Sequence, residues 1–221
     1  NTGKKRVLSE NGLLTTVGID INGNPCYSLE GSVFIGGAVI QWLRDGINII
    51  KDANETESIS DSLTSNEGVY VVPAFTGLGT PYWDMEARGL ISGITRGTNR
   101  SHIIRASLES IAFQVHDVIK TINKDINIKI KKLKVDGGAT SNNFLMQFQS
   151  DILNINIERP NNIETTALGA ALLSGLKCNF WNSQEIIRIR EIDQTFTPKM
   201  NSEIRDKNIE GWIKAIDKAR A

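Results

Sequence analysis

The stretch best equipped to hold a ligand is Asp136-Gly137-Gly138-Ala139-Thr140-Ser141-Asn142-Asn143. Apolar residues with strand character precede it (Ile130, Leu133, Val135), and a helical stripe of Phe144, Leu145, Phe148 and Ile152 follows. Two glycines therefore sit between a strand's carboxyl end and a helix's amino end, where α/β proteins bind ligands. Glycine has no Cβ, so a nucleotide can lie directly on the backbone. The helix start offers unpaired N–H groups, and Ser141 or Asn142 can cap it. The same residues also make an ordinary strand-to-helix turn, and the stretch alone leaves both readings open. A second glycine pair, Gly36-Gly37, opens the run Ala38-Val39-Ile40-Gln41-Trp42-Leu43. His102 and His116 are the only imidazoles, too few for a His-based metal site. Cys26 and Cys178 are far apart in sequence and read as reduced thiols of a cytoplasmic protein.

The chain of 221 residues can form one large domain or two small ones, and 40% apolar content supports a sizeable core. Lys plus Arg and Asp plus Glu number 25 each, which gives no reason to expect nucleic acid or an anionic membrane as partner. No apolar run reaches membrane-spanning length and no signal peptide is visible. The chain opens Asn1-Thr2-Gly3-Lys4 without a Met, and we read it as a piece of something longer.

The elements that must position these residues follow from periodicity and turn chemistry. Residues 13–19 and 27–31 read as a hairpin around Asn22-Gly23, expected to add an antiparallel edge to the main sheet. A helix is expected after, or across, Gly36-Gly37, and a short one over 57–63. Val69-Tyr70-Val71-Val72-Pro73 and Leu90-Ile91-Ser92-Gly93-Ile94 read as strands. The loop between them, rich in Gly, Pro and aromatics, reads as rigid, with Phe75, Tyr82 and Trp83 buried. Ile104, Leu108, Ile111, Val115, Val118 and Ile122 predict a helix over 102–122 capped by Ser101, with a solvated basic stretch over 124–134 beyond it. Self-association through that helix and core packing explain its stripe equally well. Residues 155–160 read as a strand, and 165–175 as a small-residue helix lying on the sheet, with capping-box spacing between Asn161 and Glu164. Residues 183–190 and 201–218 read as further helices. Alternating strands and helices in the second half predict α/β layers with a mixed sheet flanked by helices.

Several stretches together resemble a known family. Gly36-Gly37-Ala38-Val39-Ile40-Gln41-Trp42-Leu43-Arg44-Asp45 and Pro73-Ala74-Phe75-Thr76-Gly77-Leu78-Gly79-Thr80-Pro81-Tyr82-Trp83-Asp84 resemble segments of glycerol kinases. Gly89-Leu90-Ile91-Ser92-Gly93-Ile94 with His102-Ile103 and Ala106-Ser107-Leu108-Glu109 is similar to the second signature of the FGGY carbohydrate kinases. Val135-Asp136-Gly137-Gly138-Ala139 with Asn142-Asn143-Phe144-Leu145 resembles that family's adenosine-binding turn.

The resemblance implies an actin-like, ribonuclease-H-like carboxyl-terminal lobe spanning residues 1–221. The intact kinase would use Mg2+ and ATP to phosphorylate glycerol to glycerol 3-phosphate. It also implies that the general base, the other glycerol contacts and the phosphate loop belong to the amino-terminal side, so no catalytic residue is assigned here. Gly37, Gln41, Gly138 and Asn142 are the residues it places against adenosine. Asp136 is read as ordering its turn rather than binding metal, and no metal ligand is assigned. The partners implied are glycerol, the amino-terminal lobe of the same protein and a second copy in a homodimer. The same lobe of another polyol or sugar kinase, or a non-catalytic actin-like module, are the competing readings.

Overall fold

The structure is a computed structural model and describes residues 1–221 apart from Ile128 and Arg190. The chain opens with strands β1 (Leu14–Ile19) and β2 (Pro25–Glu30), then a short helix α1 (Ala38–Gln41) that widens into an i→i+5 turn over Trp42–Gly46. Helix α2 (Glu55–Asp61) and strands β3 (Tyr70–Val72) and β4 (Leu90–Ser92) follow. Next come the long helix α3 (Arg100–Ile126), strand β5 (Lys132–Lys134), a 3-10 turn over Gly138–Ser141, helix α4 (Asn143–Leu153) and strand β6 (Asn156–Pro160). Helices α5 (Thr165–Lys177) and α6 (Ser183–Ile189), strand β7 (Ile192–Phe196) and helix α7 (Ser202–Ala219) complete the order.

The core forms around α3. Its apolar stripe buries Leu108, Ile111 and Phe113 in one cluster with α4 (Leu145, Phe148, Ile152), β3 (Val71, Val72) and α7 (Trp212, Ile216), while Ile104 packs in a smaller cluster with Leu43 and Ile50. Phe113 stacks on Trp212, with ring centroids 5.2 Å apart, and meets Phe148 edge-on. Val115 and Ile122, at the other positions of the stripe, are half-buried. The helix starts two residues earlier than expected, at Arg100 rather than His102. Asn99, not Ser101, is the cap: its side chain accepts from Ser101 N (2.9 Å), while His102 Nδ1 accepts from Asn99 N (3.2 Å). Imidazole supplies the return bond that Glu or Gln usually makes.

Two acids in this core are partnered as buried charge requires. Glu109 receives Arg105 Nε (2.7 Å) and Asn66 Nδ2 (2.8 Å), and burial pushes its carboxyl up against the pull of both. Asp117 accepts from the Tyr82 hydroxyl and the Trp212 indole N–H, both at 2.8 Å.

The main sheet is three-stranded, ordered β5-β6-β7, parallel between β5 and β6 and antiparallel between β6 and β7. The opening hairpin does not join it, contrary to expectation: β1–β2 and β3–β4 each form a separate antiparallel pair. Alternation marks which residues are extended but not whose edges meet. The hairpin is tethered elsewhere. Ser9 and Asn11 donate to Asp125 near the end of α3, Trp83 Nε1 donates to Gly12 O (2.6 Å), and Ser32 exchanges bonds with Thr80. Inside the bond from Asp20 N to Asn24 O (2.8 Å) its turn is a three-residue loop, 21–23, with Gly23 left-handed (φ +81) and the Asp20 carboxylate accepting from Asn22 N and Asn24 N.

Three further expectations need correction. Helix α5 does not lie on the sheet: none of its residues is buried, and a cavity of about 830 Å³ lined by Val135, Pro160, Leu168 and Leu172 separates it from the strand ends. One of its small residues, Gly175, makes room for the Trp181 indole, whose N–H donates to Leu172 O (2.7 Å). The Asn161/Glu164 capping box is absent; Asn162 Oδ1 accepts from Glu164 N instead, and Asn161 Nδ2 reaches Glu191. Trp83 is 40% exposed rather than buried, while Phe75 and Tyr82 are half-buried. The expected helix 183–190 is seen to Ile189, and its last residue, Arg190, lies outside the described residues, as does Ile128 of the basic stretch.

Candidate functional site

A cavity of about 540 Å³ opens between α1, α2 and the start of α4. Its floor is apolar, from Leu108 and Ile111 of α3 and Leu145 of α4. Its walls are Gly37, Ile40, Gln41 and Arg44 on one side, Ala53, Asn54, Thr56, Glu57 and Ser58 on a second, and Gly138, Ala139, Ser141 and Asn142 on the third. An apolar floor with a few convergent polar groups is the usual composition of a small-molecule site. The four residues singled out from sequence, Gly37, Gln41, Gly138 and Asn142, come from stretches about a hundred residues apart, and all four line this one cavity.

Local chemistry explains how each is placed. Gly37 caps α1, so that helix begins after the glycine pair. Gly137 sits at φ +83, a conformation that favours glycine, and its N–H donates to Ile163 O (2.9 Å). This bends the chain out of the β5 end into the 3-10 turn. Gly138 and Ala139 open that turn, so it cannot satisfy their N–H groups itself. A Cβ built on Gly37 or on Gly138 meets nothing within 4 Å. Both glycines therefore present bare backbone to open space, where a flat ring or a ribose can approach.

Asn142 is more committed than its sequence context suggests. Its Oδ1 caps α4 by accepting from Leu145 N (2.9 Å), and its Nδ2 donates to Thr56 Oγ1 (3.1 Å). Gln41 is exposed on the rim. Arg44, the one lysine or arginine among the lining residues, is paired with Asp45 through two bonds of 2.7 and 2.8 Å, which raise the guanidinium pKa and lower that of the carboxyl. Among the described residues that line it, Arg44 is already paired, so the cavity suits an uncharged nucleoside better than phosphates.

Asp136 does not face this cavity. Its carboxylate accepts from the Thr165 hydroxyl at the start of α5 and lines the other, 830 Å³ space, so it ties the turn to a helix. Among the described residues, no group of three or more His, Cys, Asp or Glu side chains is placed to hold a metal.

The sequence reading missed the α2 wall. Thr56 and Glu57 sit in a polar run, Asn54-Glu55-Thr56-Glu57-Ser58, with nothing to mark them as cavity residues. Glu57 accepts from Asn143 N (2.8 Å) and Asn143 Nδ2 (2.9 Å). Arg159 of β6 was equally unmarked. It donates to Thr140 O (2.9 Å), Asn143 Oδ1 (3.0 Å), Asp193 (2.8 Å) and Gln194 (3.1 Å), with its guanidinium over the Phe196 ring.

Known proteins place this geometry. The glycerol kinase of Clostridium botulinum strain 657 is 56% identical over 220 residues, 99% of this chain and 44% of that protein. Glycerol kinase 2 of Thermotoga maritima matches to the same extent. The chain thus spans less than half the length of these relatives. Among solved structures, Plasmodium falciparum glycerol kinase with ADP superposes with a TM-score of 0.90 at 40% identity, covering all of this chain and 44% of that one. A ligand-bound xylulose kinase from Lactobacillus acidophilus, at 21% identity and a TM-score of 0.74, shares the fold alone. The fold is the actin-like, ribonuclease-H-like one of these kinases. Residues 1–178 match the carboxyl-terminal domain model of the FGGY family of carbohydrate kinases, and with the glycine-opened cavity between α1 and α4 described, the chain belongs to that family.

Proposed function

We propose that residues 1–221 form one domain, the carboxyl-terminal, nucleotide-side lobe of a cytoplasmic glycerol kinase that makes glycerol 3-phosphate from glycerol and ATP. The observation that carries this is the convergence of Gly37, Gln41, Gly138 and Asn142 on one cavity whose two glycines face open space. The lobe's task is to bind and orient the nucleoside end. The apolar floor of Leu108, Ile111 and Leu145 takes the base, the bare backbone at Gly37 and Gly138 lets base and ribose approach, and the phosphates project out of a cavity whose Arg44 is already paired with Asp45. Phosphoryl transfer depends chiefly on positioning and charge neutralisation. In this reading the base for the glycerol hydroxyl, the phosphate cradle and the carboxylates for Mg2+ come from the amino-terminal lobe. The described residues offer no cluster for the ion, and this chain is assigned no step through it. The unburied faces of α5 and β1, with Leu173, Val17 and Ile19 exposed, support contact with such a lobe.

Gly138→Val in the kinase that carries this chain tests the reading. The added side chain fills the cavity, so the KM for ATP is expected to rise at least about tenfold while glycerol affinity holds. A fall in glycerol affinity with ATP binding unchanged would overturn it.

A further inference from the structure

We propose that Asn143 and Arg159, anchored on the cavity-wall residue Glu57, form a positioning relay that holds the two polar walls of the cavity at a fixed separation, so that both set nucleotide affinity from outside the cavity. The inference rests on the nucleotide reading of that cavity.

The geometry is specific. Asn143 is the first residue of α4 and lies next to the cavity wall, though not in it. Its backbone N–H and side-chain Nδ2 both go to the Glu57 carboxylate on α2, at 2.8 and 2.9 Å, and its Oδ1 faces Arg159 Nη1 at 3.0 Å. An amide donates from one end and accepts at the other, so this side chain joins an anion to a cation in one fixed orientation. Arg159 then reaches the carbonyl of Thr140, inside the 3-10 turn itself, and is held from behind by Asp193 and Gln194 of β7. The α2 wall and the Gly138 wall are thereby referred to the same sheet. Thr56 and Asn142 add a second, neutral link beside it. The Arg159 side chain is 11% exposed, and hydrogen bonds with an ionised partner, as at both ends of this relay, are stronger than those between neutral groups. Neither Asn143 nor Arg159 lines the 540 Å³ cavity, so their effect on a ligand passes through the walls.

The relay makes a charge-order prediction that a packing role would not. Asn143→Asp sets a carboxylate against Glu57 and breaks the α2 link, while Glu57→Gln/Asn143→Asp restores it: the glutamine amide donates to the new carboxylate, which still faces Arg159. Steady-state kinetics and thermal melts of the intact kinase are the test. Asn143→Asp is expected to raise the KM for ATP about tenfold, with kcat and the KM for glycerol within about twofold, as for one lost charge-assisted bond. The double variant is expected to return the KM for ATP to within about twofold of the parent. Arg159→Lys, which keeps the charge but cannot span four acceptors, is expected to raise the KM for ATP about fivefold, and it serves if Asn143→Asp does not fold. An unchanged KM for ATP in both single variants, an equal rise for glycerol, or no recovery in the double variant would overturn the relay. If Gly138→Val raises the KM for ATP in the same assays, that failure belongs to the relay alone. If Gly138→Val has no effect either, the nucleotide reading falls with it.

Discussion

The loop 73–84 and the turn 137–142 each carry two glycines, the one among aromatics and prolines, the other among polar residues. In the fold they are opposites. A Cβ on Gly77 would lie 2.7 Å from Asp84 O and 2.8 Å from Met85 Cα, and one on Gly79 would strike Ser32 O. The loop closes on itself through Leu78 and Asp84, which exchange backbone bonds of 2.8 and 3.0 Å. Its glycines exist so that backbone can touch backbone. At Gly138 the same missing Cβ faces empty space in a cavity. What separates a packing glycine from a binding glycine is therefore what occupies the volume beyond its Cα.

The sharpest way to break this contrast is a matched pair of substitutions. Gly79→Val forces two backbones apart and is expected to cost about 3 kcal/mol of stability, seen as a lower midpoint in urea. Gly138→Val is expected to leave stability within about 0.5 kcal/mol while nucleotide affinity falls, as measured by calorimetric titration. Similar profiles for the two would dissolve the distinction. Trp83→Ala sharpens it on the loop side. The indole loses its bond to Gly12 O and its edge contact with Phe34, but at 40% exposure the expected cost is about 1–2 kcal/mol, less than for a fully buried tryptophan. Asn142→Ala tests the turn's own dual role. Because the side chain caps α4 as well as lining the cavity, it is expected to lose about 1 kcal/mol of stability together with some affinity. A change in affinity with no change in stability would mean the cap is dispensable.

The smallest expected effect is acid sensitivity of the loop's neighbour, the opening hairpin. Burial pushes the Asp125 carboxyl up, but Ser9, Asn11 and Glu10 N donate to it and hold it net below the ordinary carboxylate value. A lowered folded pKa gives stability that is present above the unfolded value, about 3.9, and is lost as pH falls through the folded one. Amide protection in β1 and β2 is thus expected to weaken below about pH 4 before that in β5 and β6, and Asp125→Asn should flatten this dependence. Uniform loss across both regions would show that the tether contributes nothing.

Gly37, Gln41, Gly138 and Asn142 could be picked out because the family resemblance falls on them, and the 137–142 turn also carries a local signal. A strand end, two glycines and a capping Asn are adjacent in the chain, and the family's motifs fall on the same positions. A cap for α4 at Ser141 or Asn142, of which the fold uses Asn142, and the stripe of α3 were legible because adjacent residues and helical periodicity mark them. The α2 wall was not, because Glu57 acquires its role only through Asn143, 86 positions away. Nor was β7, whose one buried side chain, Phe196, leaves no alternation to detect. The separation of the hairpin from the main sheet and the lifting of α5 away from it are matters of which edges and faces meet, and those depend on tethers such as Asp125 and Trp181 rather than on propensity.

The stacked pair of Phe113 and Trp212 has a consequence for how this domain is born. Trp212 is fully buried, yet it belongs to α7, the last element to leave the ribosome of all those described. Until it emerges, Asp117 lacks the indole N–H it accepts in the finished fold, and the Phe113 face of α3 is open to water. The domain is therefore expected to stay soft through most of its own synthesis and to harden abruptly at the end. Nascent chains arrested before residue 202 should be cut by protease within α3 and bind a hydrophobic dye, whereas chains with α7 free of the exit tunnel should do neither. Protease resistance in the shorter arrested chains would show that the core closes without its latest and largest side chain.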